Sequence, residues 1–419
     1  MLYIPFIFFS FLLYRIIKKN GFDLSACITL MYVIISIFSI ILGNDDHEYP
    51  YGNYSKVEIG FIPTVVYCTT IGLCIYPFYK YNSNQERELK KIKETKYLDV
   101  IVYSYLFVFV FLIAVFWKDI LFRIAYGDMG ELRQMQYAGL LSNALDTKGG
   151  IIRVVGGFFT IIGDGAYFLI PCFFYSLCVL KKSRLYLFSI LLGSITPVLL
   201  GFINIDRSKT AFWMCLFILS FFMFRKHIIT KEQKKVLKQM FSIVGGLLLF
   251  YLAIVTISRF GERDEGTSGG LLVYLGQPFI NFCNIWDNID TNHFFVSRVM
   301  PLTTFALYGS SGTEKVIDYV MTSASVSGLH LNVFFTFVGM FLVDMGHFAA
   351  ILIPVFLFLV INRITETYRP KKYVTLSSII VIFAFAAILQ CGIIIYFYTT
   401  VPRALAFWFF ILYSRRFFK

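Results

Sequence analysis

Four arginines and one histidine are the residues best placed for chemistry. Arg207 lies in NIDRSKT, Arg259 and Arg263 in RFGERDE, and Arg403 directly after Pro402, each beside a long apolar run. A guanidinium at membrane depth is costly and tends to face a cavity with an anionic partner, and its planar fork fits phosphate bidentately. Any one interfacial arginine has a bland explanation, because it can snorkel to lipid phosphates. Four of them on one side of an apolar chain point to a phosphate-bearing ligand. His330 precedes the apolar run Leu331 to Val343 and suits a general base or hydrogen-bond donor. Asp264 or Glu265 is the second choice of base, and either also serves to neutralise Arg263. Asn332 and Thr336 along the run, with Tyr274 and Asn281 in YLGQPFINF, offer the amide, hydroxyl and aromatic face that bind a sugar.

Other residues read as ordinary. Asp344, just ahead of Gly346, has the place of a helix N-cap. Lys209 reads as a solvated loop charge, and His47 and His293 as solvated side chains. Asp164 is the main charge inside an apolar run. Absent motifs narrow the chemistry: no GxxxxGK[ST] loop, HExxH, CxxC or GxSxG occurs. Asp287 and Asp290 in WDNID have the wrong spacing for the Asp-x-Asp metal pair of sugar-nucleotide transferases. The residues thus point to no metal site and no cofactor.

These groups need a membrane scaffold. Hydrophobic residues make up 58% of the 419, and 48 are phenylalanine; the mean hydropathy is +0.71. Soluble domains hold roughly 45–50% apolar residues, and repeated apolar runs near 20 residues mean a polytopic helical protein. Eleven spans are expected, at roughly 2–17, 24–42, 61–79, 99–117, 157–180, 185–203, 210–224, 241–258, 345–362, 374–396 and 402–414. The first lacks a basic n-region and a cleavage site, and reads as a retained span and not a signal peptide. Of the eight cysteines, only Cys283 lies outside an apolar run, so no disulfide framework follows.

The net charge of +13 does not require nucleic acid. Twenty-five of the 38 basic residues fall in one alternating set of loops, which the positive-inside rule places in the cytoplasm, with the N-terminus out and the C-terminus in. Residues 118–156 and 259–344 are then the two large outer loops of a single membrane domain. The run Leu331 to Val343 is too short to cross comfortably and reads as a partial insertion from the outer face.

The chain resembles the Wzy-type O-antigen or oligosaccharide repeat-unit polymerases of bacteria. The resemblance rests on the span-starting arginine of DRSKTAF, on the later loop with GER, YLGQPFINF and LNVFFTFVGMFLVDMG, and on many spans with two large outer loops. It implies an all-α, GT-C-like membrane glycosyltransferase of the inner membrane with its site facing the periplasm. Such an enzyme moves a growing glycan from undecaprenyl diphosphate onto an undecaprenyl-diphosphate-linked repeat unit, without metal or nucleotide. On that expectation Arg207 and Arg259 hold diphosphate, Arg263 and Arg403 serve the second carrier, and His330 orients or deprotonates the acceptor hydroxyl. The implied partners are the lipid-linked oligosaccharide, membrane lipid and a chain-length regulator protein. An O-antigen ligase and a lipid-linked oligosaccharide flippase are the competing readings.

Overall fold

A computed structural model describes residues 1–47, 49, 53–126, 131–132, 135, 149–246, 248–249, 253, 266–289, 299–307, 309, 334, 336–369, 372–394 and 396–418. Nearly all of these are helical. In chain order the helices are α1 (Ile4–Asn20), α2 (Leu24–Gly43), α3 (Phe61–Tyr81), α4 (Lys96–Tyr126), α5 (Gly150–Gly163), α6 (Leu169–Tyr175), α7 (Arg184–Ser194), α8 (Thr196–Ile203), α9 (Ser208–Phe224), α10 (Lys231–Met240), α11 (Gly266–Asn288), α12 (301–307), α13 (Thr336–Tyr368), α14 (Leu376–Cys391) and α15 (Val401–Phe417). Among the described residues, seven helical stretches are long and apolar enough to cross a membrane: Leu24–Gly43, Phe61–Tyr81, Lys96–Arg123, Gly150–Leu180, Arg184–Ile203, Ser208–His227 and Thr336–Tyr368. The chain divides into two compact units, one of Met1–Arg87, Gly269–Lys372 and Ile382–Leu405, the other of Glu88–Ser268, Tyr373–Val381 and Ala406–Lys419.

The first unit is built on α1, α2 and α3. Gly21, at φ +70°, makes the turn out of α1. Asp23 then caps α2 by accepting the Ala26 N–H at 2.9 Å and the Ser25 hydroxyl at 2.6 Å. Phe9 stacks on Tyr32 at 5.2 Å and meets Tyr67 edge-on at 5.9 Å, so aromatic contacts fill the space between the three helices. At the polar end of this unit Arg87 is buried and donates to the carbonyls of Tyr81 (2.8 Å), Asn82 (3.1 Å) and Arg369 (3.3 Å). One guanidinium thus closes the C-terminal ends of α3 and α13, where helix dipoles favour a cation.

At the opposite end of the unit α11 lies against α2 and α3. Ser39 donates to the Gly276 carbonyl at 2.7 Å. A Cβ on Gly276 would come within 2.6 Å of the Phe38 carbonyl oxygen, so only glycine permits this approach. Phe279 meets Tyr67 with ring centroids 4.9 Å apart. The sequence places Cys283 outside the apolar runs; it is in fact fully buried on α11. α13 is interrupted at Gly346, whose φ of +79° a side chain would resist. The half from Thr336 to Met345 is wholly buried and rises only about 15 Å, too little to cross a bilayer alone. Its first two N–H groups donate to Ile394 (3.1 Å) and Gly392 (2.9 Å), which answers the orphan donors of a helix start.

In the second unit, α4 carries Asp99, which accepts from Lys182 at 3.2 Å and from Tyr186 at 2.5 Å. Arg184 pairs loosely with Glu232 at 3.9 Å. The lysine- and arginine-rich turns of this unit are thereby drawn to one end. The helix begun by α5 tightens into a 3-10 segment at Asp164–Phe168, continues as α6, and ends in a π turn at Ser176–Leu180. A capping box of Thr230 and Gln233 starts the basic α10. A short parallel pair, Glu88↔Tyr373 and Leu89↔Val374, closes the polar end.

Candidate functional site

Arg207 is the N-cap residue of α9 and is half-buried. The turn before it is tight: Ile205 takes φ +54°, strained for a β-branched residue. Asp206 accepts the Ser208 N–H at 2.9 Å and the Ser208 hydroxyl at 2.6 Å, which fixes the entry into the helix. Lys209 is not solvated, contrary to the expectation from its loop-like setting. Its Nζ lies 2.7 Å from Asp164 Oδ1, with side-chain exposures of 10% and 9%. Arg207 and Lys209 are two residues apart on a helix start, so they project to different sides.

The first unit joins four of the sequence-chosen residues through two short segments. Asn281 is buried on α11 and donates to the Phe334 carbonyl at 3.1 Å. Tyr274, two turns earlier on that helix, meets the Phe334 ring edge-on at 5.2 Å. Thr336, two residues beyond Phe334, takes φ +67° and donates its N–H to Ile394. Arg403, only 6% exposed, donates to the Phe397 carbonyl at 3.3 Å and lies over the Phe397 ring at 5.3 Å. The turn 392–400 therefore holds Thr336 on one side and Arg403 on the other. Gln277 extends the network, accepting from Tyr54 at 3.1 Å and from Asn281 at 3.4 Å.

Asp344 is not the N-cap of its own helix. It sits inside α13, fully buried, and accepts the Val299 N–H at 2.8 Å just ahead of α12. Thr336 takes the capping position, its hydroxyl accepting from the Gly339 N–H at a long 3.4 Å. The interruption at Gly346 places Asp344 before a break, which is why the sequence pattern mimics a helix start.

Arg259, Arg263, Asp264, Glu265, His330 and Asn332 lie outside the described residues. Two further constellations escaped the sequence reading. One is the buried Lys209–Asp164 pair, for which the lone acid inside an apolar run was the available signal. The other is His347, whose Nε2 lies 2.7 Å from the Trp286 carbonyl and whose ring stands edge-on to Trp286 at 4.5 Å. Burial pushes the neighbouring Asp287 carboxyl above its usual range, Glu58 adds to that, and His347 opposes it. Among the described residues no three His, Cys, Asp or Glu side chains are grouped to hold a metal ion. No family model, curated protein or solved structure matches this chain.

Proposed function

We propose that this protein polymerises lipid-linked oligosaccharide repeat units, transferring the growing glycan from undecaprenyl diphosphate to an undecaprenyl-diphosphate-linked acceptor at the periplasmic face of the inner membrane. One observation carries the reading. Both sequence-chosen arginines that the structure describes stand at a helix start, Arg207 as the N-cap of α9 and Arg403 as the third residue of α15. A guanidinium there adds to the positive end of the helix dipole, which disfavours the helix and favours an anion. Such an arrangement suits a diphosphate, whose leaving charge must be stabilised as the glycosidic bond forms.

In this reading Arg207 and Arg259 hold the donor diphosphate, with Arg263 and Arg403 serving the second carrier. His330 orients or deprotonates the acceptor hydroxyl, with Asp264 or Glu265 as the other choice. Tyr274, Asn281, Asn332 and Thr336 contact sugar directly or shape the wall against which it lies. The donor arrives activated by its diphosphate, so nucleotide and metal are dispensable, and a separate regulator protein sets chain length. The test is the lipopolysaccharide ladder of a deletion strain. Loss of a polymerase leaves a single repeat on the core, whereas loss of a ligase leaves none.

A flippase is the second reading, favoured by the buried Lys209–Asp164 pair, since transport paths often hold such groups. Proteoliposomes loaded with lipid-linked units separate the two. A flippase exposes them on the far side and makes no glycosidic bond.

A further inference from the structure

The helix begun by α5 leaves the surface partway along. Val154 and Phe158 are exposed on α5, whereas every residue from Gly163 to Tyr175 is buried. α4 keeps its own surface: Val100, Tyr103 and Phe107, three and four residues apart on one face, are exposed. Lys96–Arg123 is apolar and long enough to cross a membrane, so this face meets lipid. A groove of about 790 Å3 runs beside it, lined by Tyr103 and Phe107 of α4 and by Phe159 and Ile162 of α5, with Lys96 and Asp99 at its mouth. Phe159 packs on Phe107 at 5.8 Å and on Phe111 at 4.6 Å, at the end away from Lys96.

Depth and charge say what fits. From Lys96 to Val108, the lining residues at its two ends on α4, the helix rises about 18 Å. That is close to half of the roughly 30 Å hydrocarbon core, the depth of one leaflet. The mouth is cationic. Tyr175 accepts the Ile92 N–H at 2.9 Å and donates to the Lys90 carbonyl at 2.7 Å, which draws the segment 90–96 to the turn holding Lys181, Lys182 and Arg184. Segments 90–99 and 181–184 carry seven lysines or arginines against two carboxylates. Asp99 is already answered by Lys182 at 3.2 Å and Tyr186 at 2.5 Å, and the Tyr186 ring stands edge-on to Tyr103 at 6.2 Å. Lys96 pairs with Glu94 at 2.6 Å, but both are exposed, and such a pair is held weakly.

We propose that this groove is a binding site for one anionic diacyl glycerophospholipid of the leaflet at the basic end. Its phosphate lies among Lys93, Lys96 and Lys181, and one acyl chain runs along Tyr103 and Phe107 as far as Phe159. The positive-inside rule puts that end in the cytoplasm, where the leaflet surface is itself anionic. A zwitterionic lipid would fill the apolar length but gain little at the mouth. A two-fold pairing of copies through this face would set like charges against each other. The site is separate from glycosyl transfer and does not depend on it.

The experiment titrates the delipidated full-length protein, in a non-ionic detergent, with phosphatidylglycerol or phosphatidylcholine and counts bound lipid by native mass spectrometry. The wild type is expected to hold one phosphatidylglycerol at least ~10-fold more tightly than phosphatidylcholine, since each cation near the headgroup strengthens the hold about fivefold. Ser104→Trp, at an exposed position of the groove, should block the acyl chain and weaken that first lipid at least ~10-fold, with the lipid-free unfolding temperature unchanged. Lys93→Gln with Lys96→Gln leaves the groove open, so the test does not hang on one bulky substitution. It should weaken phosphatidylglycerol roughly 25-fold and leave phosphatidylcholine as it was. Equal affinity of the wild type for both lipids, or undiminished phosphatidylglycerol binding in either folded variant, overturns the proposal. So does a polyprenyl phosphate that displaces phosphatidylglycerol, or a dimer that Ser104→Trp abolishes.

Discussion

Lys209 Nζ and Asp164 Oδ1 stand 2.7 Å apart, each side chain about nine-tenths buried between α9 and the 3-10 turn that follows α5. The pair ties the start of α9 to the 3-10 turn that interrupts the helix begun by α5. Desolvation makes such a pair costly, and removing one member leaves the other charge without its counter-ion. Asp164→Leu or Lys209→Met is therefore expected to destabilise the second unit by about 3–5 kcal/mol. The double variant Asp164→Leu with Lys209→Met should cost less than either single change. Thermal unfolding in detergent, read as a double-mutant cycle, checks this; additive losses would contradict it.

Arg87 offers a second stability test. Its guanidinium donates to three backbone carbonyls and to Gln85, and lies over the Tyr81 ring at 4.3 Å. Arg87→Met removes all of these donors and should cost about 1–3 kcal/mol. Arg87→Lys keeps the charge but loses the fork, and should fall between the two. Urea or heat titration of the purified protein gives the order. Equal stability of all three proteins would mean that the helix ends are satisfied elsewhere.

Cys283 gives a labelling test. Its sequence context makes it look reachable, but it is buried on α11, and burial pushes its thiol well above the usual range, with Asp287 adding to the effect. The thiolate is the nucleophile, so a membrane-impermeant maleimide should leave Cys283 unmodified in intact cells and react only after denaturation. A cysteine introduced as Glu58→Cys, at an exposed position of the same end, should label in intact cells if that end is periplasmic. Labelling of Cys283 in the folded protein would contradict its placement, and labelling at position 58 only after lysis would invert the topology.

Gly276 tests how α11 is held. A Cβ there would meet the Phe38 carbonyl oxygen at 2.6 Å and Leu42 at 2.8 Å. Gly276→Ala should push α11 off α2, costing about 1–3 kcal/mol and weakening the Ser39 hydrogen bond. Protease sensitivity of the 266–288 segment should rise with it; an unchanged digestion pattern would contradict the close packing.

Hydropathy made the long helices legible, because Leu24–Gly43 or Thr336–Tyr368 must hide apolar surface however they pack. It could not reveal α11. Gly, Gln, Asn and Tyr dilute its apolar content, and its burial depends on partners such as Ser39, Tyr54 and Tyr67 that lie far away in sequence. The same limit hid the Lys209–Asp164 pair, since 45 residues separate its members and only the fold joins them. Arg207 was legible as a span-starting residue because an arginine between apolar runs has few places to go. Asp344 was misread because local pattern marks a helix break without telling which side is capped.

Whether this protein is a polymerase is decided most directly by turnover of a defined lipid-linked repeat unit by the purified protein, without nucleotide and in the presence of a chelator. Products of two, three and more repeats are expected, with Arg207→Ala and Arg403→Ala each slowing the reaction by roughly 100-fold or more. A folded wild-type protein that leaves the substrate unextended, or arginine variants that extend it at the full rate, would contradict the polymerase reading.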